Sequence, residues 1–74
     1  MSRKLDDAST TASVKAALLL HRGTRGLSTQ VRTLRGVATV EVGAPSAAEK
    51  ELVTRVVAGI PGVRRVDNRM TVED

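Results

Sequence analysis

The sequence predicts an α+β fold of order α-β-β-α-β, with two helices packed on one face of a three-stranded mixed sheet. Three observations carry this. Apolar residues recur at helical spacing in residues 8–22 and 47–58, whereas residues 27–34, 37–42 and 63–72 alternate or are rich in β-branched side chains. Glycine and proline punctuate the boundaries, at Gly23, Gly26, Gly36, Gly43, Pro45, Gly59, Pro61 and Gly62. The closing strand–helix–strand unit crosses over right-handed, which makes the second and third strands parallel.

The first helix is expected over residues 8–22. Asp6, Asp7 and Ser9 offer capping oxygens, and acidic charge there suits the helix dipole. Gly23 supplies the stop. Thr10, Val14, Ala17, Leu18 and His21 fall on one face, with Leu20 beside it and Leu19 pointing away. Cover by the neighbouring loop is the expected fate of Leu19 and Leu20; the alternatives are insertion into a lipid interface beside Arg22 and cover of the core or of a subunit contact. A flexible loop, Gly23-Thr24-Arg25-Gly26, follows. It spells the GxxG of KH domains but joins a helix to a strand, not two helices.

Residues 27–34 place Leu27, Thr29, Val31 and Thr33 on one side of a strand. Arg35-Gly36 is a short turn, and the strand at 37–42 completes a hairpin. Ser46-Ala47-Ala48-Glu49 is a capping box ahead of the second helix, 47–58. Leu52, Val53, Val56 and Ile60 form its apolar stripe, with Val57 at the edge. The third strand, 63–72, puts Val66, Met70 and Val72 on one side. The sheet face away from the helices then carries Gln30, Arg32, Thr39, Glu41, Asp67, Arg69 and Thr71, polar enough to meet water.

A chain of 74 residues makes one domain, spanning 1–74, with residues 1–5 expected to be disordered. There is no cysteine, and a single histidine, so neither a disulfide nor a metal site is expected, and no cofactor. There is no Phe, Tyr or Trp either, which removes the stacking surfaces of most single-strand nucleic-acid binders. The net charge of +4 favours polyanionic partners without choosing among them. No apolar run approaches the ~20 residues that span a bilayer.

The ordered motifs resemble the BON domain family, named for bacterial osmotically inducible and nodulation proteins. Asp6-Asp7 with residues 10–18 resembles its first helix, and Gly36-Val37-Ala38-Thr39-Val40 its hairpin. Ser46-Ala47-Ala48-Glu49-Lys50-Glu51 resembles the start of its second helix. Pro61-Gly62-Val63-Arg64-Arg65-Val66 and Asn68-Arg69-Met70-Thr71-Val72 resemble its close. Three positions depart from the family. Thr10 stands where a large aliphatic residue is common, and Val42 where glycine is common, with Gly43 one residue later. The loop after the first helix is basic where the family often has Asp-Pro. The resemblance implies a non-enzymatic, envelope-associated role, often described as phospholipid binding. It implies the periplasm or cell envelope for a mature or excised domain, and the cytoplasm if Met1 is the native start.

The candidate sites follow. His21 lacks a partner of any catalytic signature, and a structural role on the buried stripe is expected for it. Asp6-Asp7 reads as a cap, not an acid–base pair. The candidate lipid contacts are Lys4, Leu19, Arg22 and Arg25; Arg32 and Arg69 are candidates on the open sheet face. Anionic phospholipid or a membrane surface is the leading partner. A protein-interaction or oligomerisation module, meeting another BON domain or an envelope protein, is the second reading. Nucleic acid is the least favoured.

Overall fold

Asp6 starts the first helix. Its carboxylate accepts the Ser9 N–H at 2.7 Å, the bond that an N-cap side chain makes to an otherwise orphaned donor. The backbone N–H and the side chain of Ser9 hold the Asp6 carboxyl below its ordinary value. The computed structural model describes residues 6–72, so the expectation of disorder at 1–5 lies outside the described residues. Helix α1 runs Asp7–Leu20 and buries Thr10, Val14 and Leu18. Thr10 is accommodated because its hydroxyl donates to the Asp6 carbonyl at 2.9 Å, so a buried polar group is paired.

Strands β1 (Gln30–Leu34) and β2 (Val37–Glu41) form the expected antiparallel hairpin, with Leu34 opposite Val37. The two-residue turn has φ of 52° at Arg35 and 81° at Gly36. Positive φ at both positions suits the right-handed twist of the flanking strands. Asp7 clasps this turn. Its two oxygens accept the N–H of Arg35 at 2.8 Å and of Gly36 at 3.2 Å, tying the start of α1 to the hairpin tip.

Helix α2 (Ala47–Ala58) begins at Ser46, as expected, but the capping box is not made. The Ser46 hydroxyl donates to the Glu49 carboxylate and caps no backbone N–H. The α2 face is also rotated from the expected stripe. Val53 and Val57 are fully buried, whereas Val56 and Ile60 pack partly exposed against the core.

The third predicted strand divides in two. Strand β4 (Arg65–Asn68) pairs parallel to β2, giving the sheet order β1-β2-β4. Strand β5 (Thr71–Val72) pairs parallel to β3 (Gly43–Ala44) in a small second sheet. The offset is the same on both sides of the break: Val37 faces Arg65, and Gly43 faces Thr71. Asn68 explains the interruption. Its Oδ1 accepts the Met70 N–H at 3.0 Å, and its amide donates to Lys50 O and Thr54 Oγ1 on α2, both at 2.8 Å. The side chain therefore anchors the strand to the helix at the break, while the Arg69 and Thr71 N–H groups still donate to Val40 O and Val42 O across it. Met70 is left buried in the core, and Val72, expected beside it, is exposed.

Opposite the Asn68 break, Val42 has a φ of 88°. A β-branched residue is a true outlier there, because its Cβ crowds the backbone. Val42 is the position where the resemblance expects glycine. Replacing Val42 with glycine removes strain of about 1–3 kcal/mol, offset by roughly 0.5–1 kcal/mol of glycine backbone entropy. The expected net gain is about 1 kcal/mol, raising the melting midpoint by roughly 4–8 °C. A midpoint that falls in Val42→Gly would refute the strain.

The core joins Val14 and Leu18 of α1, Val31, Ala38 and Val40 of the hairpin, and Ala44, Val53, Val57 and Met70. It lies on the helix side of the sheet. Among the described residues, no buried side-chain nitrogen or oxygen lacks a hydrogen-bond partner.

Candidate functional site

The end of α1 and the loop after it form a built corner, not a flexible loop. The Thr24 side chain is buried, and its hydroxyl donates to the Leu18 carbonyl at 2.7 Å. This satisfies one of the acceptors that a helix C-terminus leaves open. The N–H groups of Thr24 and Arg25 both donate to the His21 carbonyl, at 3.1 and 2.9 Å, and Leu27 N–H donates to Thr24 O at 3.0 Å. His21 is exposed, so its expected place on the buried stripe is corrected. The helix ends at Leu20, and as the C-cap His21 turns outward with its Nδ1 accepting the Gly23 N–H at 3.0 Å. Its role is local and structural.

This corner presents apolar and cationic groups together. Leu19 is 67% exposed and Leu20 84%, so neither is covered by the loop. The loop folds back onto the end of the helix through Thr24, which holds the Leu18 carbonyl, and leaves both leucines uncovered. Arg22 and Arg25 stand exposed on the corner and form no ion pair among the described residues. Beside them runs an open furrow of about 530 Å³ lined by Lys15, Leu18, Leu19, Leu27, Gln30 and Val42 among others. It continues past Leu27, Ser28 and Val42 towards Pro45.

The candidates on the other face differ. Arg32 donates to Glu41 at 2.6 Å and Arg69 to Asp67 at 2.9 Å. Such exposed pairs stabilise little, but they cancel the charge of that face. The structure thus brings Leu19, Arg22 and Arg25 to one corner and sets Arg32 and Arg69 apart. Lys4 lies outside the described residues. Lys15 and Val42 were not among the candidate site residues read from the sequence. Lys15 was legible, since it lies one turn before Leu19 on the same helical stripe. Val42 lines the furrow from a left-handed backbone position, which the glycine common there in the family resemblance signals.

Among the described residues, no group of His, Asp or Glu converges as a metal site, and no helix is long and apolar enough to cross a membrane. Fold and site together define a small α+β module that offers open surface furrows and a cationic, apolar corner. The chain belongs to the BON domain family, whose sequence profile matches residues 6–74. It is similar to osmotically-inducible protein Y of Escherichia coli (strain K12), 34% identical over 70 residues. The match covers 95% of this chain and 35% of that protein, so the chain spans about a third of the relative's length.

Proposed function

We propose that this BON domain is a non-catalytic module that attaches to anionic phospholipid at the bacterial cell envelope through the α1 corner. The observation that carries this is the exposure of Leu19 and Leu20 next to Arg22 and Arg25, which are free of ion pairs among the described residues. Apolar side chains enter the interface while cations meet the headgroups. The similarity to an osmotically inducible protein supports an envelope setting, the periplasm among the compartments it suggests.

Vesicle co-sedimentation tests this. Binding to phosphatidylglycerol vesicles should exceed binding to phosphatidylcholine vesicles and should weaken with salt. Each basic residue near the surface contributes about 1 kcal/mol. The double variant Arg22→Gln/Arg25→Gln should therefore bind roughly 30-fold more weakly. Equal binding to neutral and anionic vesicles at low salt would sink the reading.

A second reading, a protein-interaction or oligomerisation module within an envelope assembly, is favoured by the open edge of β1. That strand has a partner on one side only and carries Leu34, which is 70% exposed. An edge of this kind can accept a strand from another chain. Light scattering that finds only monomers rules out self-association.

A further inference from the structure

At the far end of the sheet from the α1 corner, three arginines converge from two segments distant in sequence. Arg35 sits in the hairpin turn, Arg64 immediately precedes β4, and Arg65 opens it. The Gly36 carbonyl accepts the N–H of Arg64 at 2.7 Å and of Arg65 at 3.3 Å, and Val37 pairs with Arg65 in the ladder. The Arg64 stem lies directly over Gly36: a Cβ there would come within 2.7 Å of its Cγ and Cδ. Glycine is therefore needed both for φ and for the approach of this side chain.

We propose that Arg35, Arg64 and Arg65 form a binding site for a multiply charged phosphate group, a phosphomonoester or pyrophosphate. They line an open cleft of about 400 Å³ with Val37 as its apolar wall. All three are exposed. Elsewhere arginines are paired with acids, at Arg32, Arg55 and Arg69. Arg35, Arg64 and Arg65 have no such partner among the described residues. The two nearest acids are already engaged. Asp7 gives both oxygens to the backbone of the turn, and Asp67 is held by Arg69. Three guanidiniums and no carboxylate line the cleft, which is therefore net positive. Their forked donors match phosphate oxygens two at a time, which a lysine cannot do. Arg35 adds a further sign. It occupies a left-handed position where asparagine or glycine is cheaper, so the guanidinium is kept at some cost to the turn. None of these residues belongs to the α1 corner, so the site stands or falls independently of the lipid reading.

The test is a nuclear magnetic resonance titration of the isotope-labelled full chain with pyrophosphate, at ionic strength held constant with chloride. The expected result is saturable shifts confined to the amides of Arg35, Gly36, Arg64 and Arg65 and to the three guanidiniums. Arg64→Gln and Arg65→Gln should each weaken binding about tenfold, and Arg65→Lys should recover little of it. Arg35→Asn separates binding from folding. It should raise the melting midpoint by about 3–6 °C while weakening pyrophosphate binding. A phosphatidic acid vesicle arm, run in the Arg22→Gln/Arg25→Gln background, identifies the source. Binding to vesicles and to soluble pyrophosphate, lost together on adding Arg64→Gln, supports a lipid headgroup in the same cleft, and saturable binding of soluble pyrophosphate alone supports a free phosphate compound. Shifts that do not saturate or spread equally to Arg22 and Arg25 would overturn the proposal. So would an oligonucleotide that shifts the same amides at lower concentration than pyrophosphate, which would mark the cleft as a nucleic-acid contact.

Discussion

Met70→Ala is expected to remove roughly 3 kcal/mol of folding stability. Met70 is among the largest fully buried side chains, 2% exposed, in a core that otherwise contains only Val, Leu and Ala. No aromatic ring is available to move into the space. The loss combines the transfer of the thioether chain to water with the cavity left behind. A chain of this length has a total stability of roughly 4–11 kcal/mol, so the change takes a large share of it. Because the chain has no Trp or Tyr, the measurement is helical circular dichroism against urea. With a slope of about 1 kcal/mol per molar urea, the midpoint should move down by roughly 3 M. A shift below about 1 M would mean that the site collapses around the smaller side chain.

Asp7→Ala is the second large effect, expected at roughly 2 kcal/mol. The substitution leaves the N–H groups of Arg35 and Gly36 without their acceptors, and Gly36 is buried. It also removes a negative charge from the first turn of α1, which adds a few tenths of a kcal/mol. Asp7→Asn keeps one carbonyl oxygen in place and should lose about half as much. If Asp7→Ala melts with the unaltered chain, water serves the turn and the clasp is not a source of stability.

These two residues mark the boundary of what the sequence reveals. The order of elements and the positions of the turns were legible, since glycine, proline and hydrophobic period act locally. The α+β class and the inward faces of Val14, Leu18, Val31 and Val40 follow from the same signals. Where two apolar residues are adjacent, periodicity leaves two stripes open. Val56-Val57 is such a case, and tertiary contacts decide for Val57. Asp7 reads as a cap because its partners lie 28 and 29 residues away. Asn68 reads as one more strand residue because its hydrogen bonds reach across to α2. The exposure of Leu19 and Arg22 was legible as an alternative. The convergence of Arg35 with Arg64 depends on strand register, which no motif encodes.

The shared offset of the β2–β4 and β3–β5 pairings bears on how the chain assembles. Every bond of β4 and β5 to the rest of the sheet closes a long loop through α2, and loop closure costs entropy before any contact is gained. The hairpin closes over two residues, and α1 is tied to it at Asp7 and by the hydroxyl bond from Thr11 to Thr33. Assembly should therefore proceed from the α1–hairpin half, with the parallel half docking afterwards as a single strand that bends at Met70. Because the two pairings share one offset, fixing the register of one ladder fixes that of the other.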